Sequence, residues 1–596
     1  MSALASTREL LKLMANGRHV IPKPKDKVLS FASMVEANAR KYPNDVMAHF
    51  EGESLTWDQL NKQSNKFAHL LKSQGVTKGD RIALLMENRL EFLAACMGIS
   101  KLGAVTALIN TSLTGKSLVH CITSVGSQKL IVGEETFYAV DNCFDELNIS
   151  RKDIIFVKDQ GYAASPEWCT DYDAVSDILS EHNLPETQQV RLADDAYLIF
   201  TSGTTGLPKA AIMSHNRADK MAMSSAKLSF LMNRKDCMYI CLPLYHGSAL
   251  LMGFGGVIHS ASSLFLRRKF SASQFLSDAR KYNTTCFLYI GELCRYLLNQ
   301  PQLSNDGDNP IRAIAGNGLR PEIWHEFKNR FKIHRINEFY GASEGNAGFG
   351  NSLNKDCTFG FCLTPFSVVK FDVQNEEPVL DSQGHCQDVD KYEPGLLLTE
   401  INEKADFEGY TDKNATEKKI MRNVFKQGDA YLNTGDIIKQ VNVGFAFGIP
   451  HYQFVDRVGD TFRWKGQNVS TNEVGEIINQ FNQIEFSNVY GVTVPGTDGC
   501  AGMAAISANS HKLDLPGLSA HINEALPNYA RPLFLRILLD MDTTQTFKMK
   551  KGDLREEAFH PDKCTDDIYV LKPTEARYVP LESEFYNTIL EGEAGY

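Results

Sequence analysis

The 596-residue chain lacks a charged, then apolar, then small-residue leader at its N-terminus, so a secreted product is not expected. Its last residues, Glu-Ala-Gly-Tyr, are no peroxisomal address. It also lacks an excess of positive charge. Lys and Arg number 62 against 72 Asp and Glu, for a formal charge of −10. That speaks against a nucleic-acid partner, which would need a basic face to displace counterions. An anionic ligand held by a few placed cations stays open. Thirteen cysteines are present, but the nearest pairs, Cys237/Cys241 and Cys357/Cys362, lack a repeated metal-ligand spacing. They read as reduced, mostly buried thiols of a cytoplasmic protein. Long uncharged runs are scarce. Residues 237–266 carry no Asp, Glu, Lys or Arg, enough to span a bilayer. Pro243, His246, His259 and four serines dilute that run. It reads better as strand 238–242, a loop, apolar helix 249–258 and strand 263–266, all buried.

With 43% hydrophobic and 22% charged residues, the composition fits a globular chain with a sizeable core. At about 150 residues per domain, length alone suggests roughly four domains. The first 27 residues hold Arg8, Lys12, Arg18, Lys23, Lys25 and Lys27 against Glu9 and Asp26, among Leu4, Leu10, Leu11, Leu13 and Met14. A short amphipathic helix follows, either packed on the body with a solvated basic face or resting on a membrane surface. Next come a helix over 30–41, a hairpin of 46–50 and 54–57, a helix over 60–74, strand 81–86, helix 90–102 and strand 104–109. This βαβ alternation, continued to residue 340, predicts an α/β fold of parallel sheets with flanking helices. From about residue 456 the texture changes to strands 488–494 and 501–506 and helices near 472–480 and 515–525. The expected organisation is an extension over 1–27, a large body over 28–456 and a small α+β domain over 457–596.

The strongest local signal is Tyr197-Leu-Ile-Phe-Thr201-Ser202-Gly203-Thr204-Thr205-Gly206-Leu-Pro-Lys209, an apolar strand running into a loop of hydroxyls and glycines and then a lysine. Glycines let backbone N–H groups approach phosphate oxygens, and the hydroxyls add donors. It is not a Walker A loop, because Pro208 stands where Gly-Lys-Ser/Thr would open a helix. The alternative is a polar hairpin loop.

The run from Thr201 to Lys209 resembles the phosphate loop of the adenylate-forming superfamily, which comprises acyl-CoA synthetases, luciferases and peptide-synthetase adenylation domains. The superfamily's other motifs follow in order. Leu242-Pro-Leu-Tyr-His246 is similar to the segment bearing a gate histidine. Ala315-Gly316-Asn317-Gly318-Leu319 is similar to the loop against adenine. Tyr340-Gly341-Ala-Ser343-Glu344 resembles Tyr-Gly-x-Thr-Glu, whose aromatic stacks on adenine and whose glutamate holds Mg²⁺. Asn433-Thr-Gly-Asp436 resembles the ribose-binding aspartate segment. Asp456-Arg457-Val-Gly459-Asp460 resembles the ribose-binding arginine with the interdomain hinge, and Thr544-Gln-Thr-Phe547-Lys548 the lysine of a mobile C-terminal domain. The segments 460–474, with Gly466, and 289–301, with Tyr289, are similar to the fatty acid transport protein/very-long-chain acyl-CoA synthetase branch. Gln467 stands where that branch usually has Glu, and the N-terminal membrane span of its animal members has no counterpart.

The resemblance implies an adenylate-forming fold with a mobile C-terminal lid, and ATP- and Mg²⁺-dependent activation of a long- or very-long-chain fatty acid followed by transfer to coenzyme A. It implies catalytic roles for Lys548, Glu344, His246 and Thr201. ATP and AMP contacts fall to Thr201 through Gly206, Lys209, Gly316, Asn317, Gly318, Tyr340, Gly341, Ser343, Asp436 and Arg457. Gly459 and Asp460 would be the hinge, and Gly466 would line the CoA tunnel. Leu250 and Tyr289 would line the acyl pocket, with Gly253, Gly255 and Gly256 leaving room for the chain. Rival readings are a ligase for a bile acid or carnitine-like acid, an uptake protein with dispensable catalysis, and a synthase that hands the acyl group to a carrier protein. The motifs say nothing of subunit number.

Overall fold

The computed structural model describes residues 3–161, 163–201, 207–372, 377–403, 405, 407–458, 462–464, 467–497, 499–508, 513–538, 552–564, 566–573 and 575–596. They form two compact units. The first comprises residues 1–364, 403–419 and 442–451, and the second 365–402, 420–441 and 452–596. The boundary expected at 456/457 falls inside the second unit, at the end of strand His451–Arg457.

Helices of the first unit begin where the sequence supplies caps. The Ser30 hydroxyl accepts the Ser33 N–H, and the Ser33 hydroxyl accepts the Ser30 N–H, opening helix Phe31–Lys41. Thr56 and Gln59 close the same reciprocal pair at helix Trp57–Ser73. Strands Val46–Phe50 and Glu53–Thr56 form the expected hairpin. Its turn residues Glu51 and Gly52 take φ of 48° and 94°, the positive pair that matches strand twist.

Two sheets carry this unit. In one, strands run in the order Thr170–Asp171, Ile154–Val157, Lys129–Gly133, Arg81–Leu85, Val105–Leu108, Asp195–Thr201 and Lys209–Ser214. All pairs are parallel except the last. The central strands are buried almost throughout, as parallel sheets covered on both faces require. In the other the order is Gly348–Gly350, Arg335–Gly341, Ala313–Asn317, Cys286–Ile290, Cys237–Ile240, Ser263–Leu266, Val46–Phe50 and Glu53–Thr56, antiparallel only at its two edges.

The uncharged run therefore folds as two adjacent parallel strands joined by helix. Among the described residues no helix is long and apolar enough to cross a membrane. The joining segment differs from the simple helix expected. Ser248–Phe254 is wound as a π-helix before the α-helix Gly255–Ser260. Its glycines also correct one expectation. A Cβ on Gly253 would stand 2.8 Å from Ile240 Cδ1, and one on Gly255 would stand 2.7 Å from both Ala222 Cβ and the Phe31 ring. These positions are small because neighbours fill the space, not because an acyl chain needs it. All thirteen cysteines are free thiols, and burial pushes Cys96, Cys121 and Cys286 up to about 12.

Helix Ala3–Gly17 packs by its polar side. Glu9 forms an ion pair of 2.6 Å with Arg335, both nearly buried, and the Ser6 hydroxyl donates to the Phe445 carbonyl while accepting from Lys355. Leu4, Leu11 and Met14 face outward, 81%, 61% and 66% exposed, on the stripe that also carries Arg8, and exposed Arg18 follows just past the helix end.

In the second unit, Phe366–Val369, Pro394–Glu400, Ala430–Val441, Ile420–Arg422 and His451–Arg457 make a small antiparallel sheet over Val369, Leu396, Leu398 and Ile437. A second sheet of Ile484–Thr493, Cys500–Ala508, Phe534–Ile537, Asp567–Leu571 and Tyr578–Pro580 carries helices Thr471–Asn479 and Leu515–Ala525. This is the α+β texture expected from about residue 456.

Candidate active site

The eight-stranded sheet gathers most of the site. Strands Cys237–Ile240, Cys286–Ile290, Ala313–Asn317 and Arg335–Gly341 are consecutive, parallel neighbours. His246, Tyr289, Gly316–Gly318 and Tyr340–Glu344 lie at or just beyond their carboxyl ends, where open α/β sheets bind ligands. Parallel pairing aligns these ends because each chain returns through a crossover helix.

Each piece is then fixed locally. The loop leading to His246 is held by Asn88, whose side-chain N–H donates to the Leu242 carbonyl at 2.9 Å and to the Arg267 carbonyl at 3.1 Å. Its oxygen accepts the Leu244 N–H at 2.8 Å. His246 opens the next turn, where the Leu250 N–H donates to its carbonyl, and Leu250 is fully buried. The adenine-type loop lies flush on the neighbouring strand end. A Cβ on Gly316 would stand 2.2 Å from the Tyr289 carbonyl, and one on Gly291 only 1.7 Å from the Gly318 carbonyl. Gly318 itself has φ +85°, a conformation that favours glycine.

Glu338 ties these pieces together. Fully buried beneath the loop, its carboxyl accepts the Leu319 N–H at 3.0 Å and the Tyr289 hydroxyl. Burial raises it to about 8, against the lowering influence of Tyr289 and the Leu319 and Gly318 amides. Two residues on, the Tyr340 ring rests against Phe359 and Phe349, with centroids 5.4 and 5.7 Å away. Ser343 and Glu344 follow, both partly exposed.

The seven-stranded sheet contributes the hairpin of the phosphate-type loop. Thr201 ends strand Asp195–Thr201 and pairs in antiparallel register with Lys209, its hydroxyl donating to the Lys209 carbonyl at 3.4 Å. Ser202, Gly203, Thr204, Thr205 and Gly206 lie outside the described residues. So do Gly459, Asp460, Gly466 and Lys548.

In the second unit, Asp436 and Arg457 come together. Asp436 is 4% exposed on strand Ala430–Val441, and Arg457 Nε lies 3.0 Å from its Oδ1 with the rest of the guanidinium half exposed. Asp456, beside it, is buried and accepts from the Ser470 hydroxyl, the Thr471 N–H and hydroxyl, and Asn472. It anchors the start of helix Thr471–Asn479 rather than facing a ligand.

Sequence reasoning missed Asn88 and Glu338, whose partners lie far away in the chain or on its backbone. Asn88 was the more accessible of them, since a short amide between a buried strand and a helix favours backbone contacts.

The donor set suits a magnesium–nucleotide site. Mg²⁺ usually takes one or two carboxylates together with substrate phosphates and water. Glu344 would supply one carboxylate, and among the described residues no group of three or more His, Cys, Asp or Glu forms a separate cage.

A model of the AMP-binding enzyme family matches residues 35–384. The chain is 39% identical over 568 residues to long-chain fatty acid transport protein 6 of Mus musculus, covering 94% of this chain and 90% of that protein. It is 36% identical over 583 residues to the medium/long-chain-fatty-acid–CoA ligase FadD6 of Mycobacterium tuberculosis, covering 98% and 94%. Among solved structures, the anthranilate CoA ligase AuaEII in complex with anthranoyl-AMP matches with a TM-score of 0.76 at 19% identity, over 91% of this chain and 99% of that one, a likeness of fold.

Proposed function

The chain belongs to the AMP-binding enzyme family, and from that membership we propose that it is an ATP-dependent long-chain fatty-acid–CoA ligase. The observation that carries the reading is the alignment of His246, the Gly316–Gly318 loop, Tyr340 and Glu344 at the carboxyl ends of four adjacent parallel strands. The names of the relatives, a fatty acid transport protein and a medium/long-chain-fatty-acid–CoA ligase, support the acid and the acceptor.

The reaction balances in two steps. The fatty carboxylate attacks the α-phosphate of ATP, giving acyl-AMP and pyrophosphate. The CoA thiol then attacks the acyl carbon, releasing AMP and a proton. The first step brings two anions together and needs cations where charge builds up. We assign Lys548 to the carboxylate and α-phosphate, and Thr201–Gly206 with Lys209 to the departing pyrophosphate. Glu344 would hold Mg²⁺, which when bound neutralises phosphate charge. Tyr340 offers a face to adenine. Asp436, with its neighbour Arg457, would take the ribose hydroxyls. Gly459 and Asp460 would let the C-terminal segment turn, and Gly466 would line the path of CoA. Leu250 and Tyr289 would border the acyl chain.

The deciding measurement is AMP release with and without CoA across a panel of fatty-acid chain lengths. CoA-dependent release that peaks with long chains is expected. Release that needs a carrier protein instead, or a preference for a bile acid or carnitine-like acid, would overturn the assignment. Binding of fatty acid without turnover would favour the uptake reading.

For the enzyme's location we propose peripheral contact with an anionic bilayer through Leu4, Leu11 and Met14. The Glu9–Arg335 pair turns this apolar stripe outward, Arg8 and Arg18 flank it, and Phe445 and Phe447 stand exposed on the loop that the Ser6 hydroxyl contacts. Replacing Leu4, Leu11 and Met14 by serine keeps that ion pair. With about 1.5–3 kcal/mol per buried large apolar side chain, it should reduce co-sedimentation with phosphatidylglycerol vesicles at least about tenfold. Unchanged co-sedimentation would overturn the proposal.

A further inference from the structure

Arg217 has no part in the site as assigned, yet it grips the loop that carries Glu344 from both sides. It sits in the first turn of helix His215–Ser224, and its own N–H donates to the Ser214 cap. One terminal nitrogen, Nη2, donates to the Ser343 carbonyl at 2.8 Å and to the Gly345 carbonyl at 2.6 Å. The other, Nη1, donates to the Ile212 carbonyl at 2.9 Å. Ile212 lies on strand Lys209–Ser214, the strand that leaves the phosphate-type loop. One planar group thus ties strand Lys209–Ser214 to the carbonyls of the two residues on either side of Glu344. Glu408 steadies it, with a carboxylate 3.5 Å from Nη1 that accepts the Ser214 N–H and hydroxyl. On the far side, the Asn346 side chain donates to the Ala405 carbonyl at 2.9 Å, a second staple on the same loop.

We infer that Arg217 is the positioning residue that aims the Glu344 carboxylate, and ties its loop to strand Lys209–Ser214, for binding of magnesium–ATP. The inference rests on the assignment of Glu344 to Mg²⁺. The chemistry explains why arginine stands there. Three carbonyls in one fork need several donors held in a plane, whereas lysine offers a single ammonium at the end of a flexible stem. Because its acceptors are the carbonyls on either side of Glu344, loss of Arg217 frees the turn without touching the carboxylate itself.

The test is equilibrium binding of ATP to the full chain, with and without Mg²⁺ and without fatty acid, by isothermal titration calorimetry. Arg217→Lys is expected to lose most of the gain in ATP affinity that Mg²⁺ gives the wild type, about tenfold, while binding metal-free ATP as before. Arg217→Ala should behave alike, and if it fails to fold, the lysine variant carries the test. Glu344→Gln should abolish the same gain, and adding Arg217→Lys to it should change nothing more. An Arg217→Lys protein that keeps the full gain would overturn the inference. So would equal weakening of ATP with and without Mg²⁺, the mark of a merely structural role. A Glu344→Gln protein that keeps the gain would instead refute the assignment of Glu344, and the inference with it.

Discussion

Replacing Lys548 by alanine is expected to slow acid-dependent adenylation about 10²–10³-fold, the scale for loss of one group that stabilises charge developing in the transition state. Thioester formation from supplied acyl-adenylate should survive, because the carboxylate has already been activated when that step begins. The two half-reactions separate cleanly in the laboratory. Acid-dependent pyrophosphate release reports the first, and CoA-dependent consumption of synthetic acyl-AMP reports the second. Equal loss in both would contradict a role confined to adenylation. Loss in neither would remove Lys548 from the chemistry altogether.

The second large effect is expected at Glu338. Glu338→Ala would leave the Leu319 N–H and the Tyr289 hydroxyl without their acceptor in a fully buried place. Each unsatisfied buried group costs about 1–3 kcal/mol, so the variant should unfold at clearly lower urea and bind ATP poorly through a displaced adenine loop. The conservative change separates charge from shape. Burial raises Glu338 from its ordinary 4.5 to about 8, so between those values the native chain keeps a proton that the unfolded chain has released. Its stabilising contribution is therefore complete below about pH 4.5 and is lost as pH rises through about 8. Glu338→Gln keeps a neutral group of the same size. It should match the wild type below about pH 4.5 and lose less stability between about pH 4.5 and 8. Identical slopes for the two proteins would show that Glu338 does not titrate there.

Much of this was legible in the chain itself. The hairpin at Glu51-Gly52, the strand–helix alternation and the two strands hidden in the uncharged run all follow from local pattern, because caps, turns and apolar period act over a few residues. The chemical motifs were legible for the same reason, since each is a short run such as Tyr340–Glu344. What escaped depends on distant partners. Arg217 meets peptides more than a hundred positions ahead of it, and nothing about a lone arginine in a helix announces that. Gly253 and Gly255 were misread because the atoms filling their space belong to Ile240, Ala222 and Phe31. The interleaved makeup of the second compact unit escaped for a related reason. Its first segments, 365–402 and 420–441, alternate along the chain with segments of the first unit, and composition does not register such interleaving.

The pairing of Val46–Phe50 with Ser263–Leu266 bears on how the protein is made. Strand Val46–Phe50 lies inside the eight-stranded sheet, yet its parallel partner follows roughly 200 residues later. At about 5–20 residues per second of synthesis, the N-terminal hairpin would wait on the order of 10–40 s with one edge bare. The seven-stranded sheet is complete by Ser214, so it has its whole complement of strands before that wait ends. The nascent chain thus has a built-in order of assembly, with an exposed strand edge during the interval that a ribosome-associated chaperone would be placed to shield.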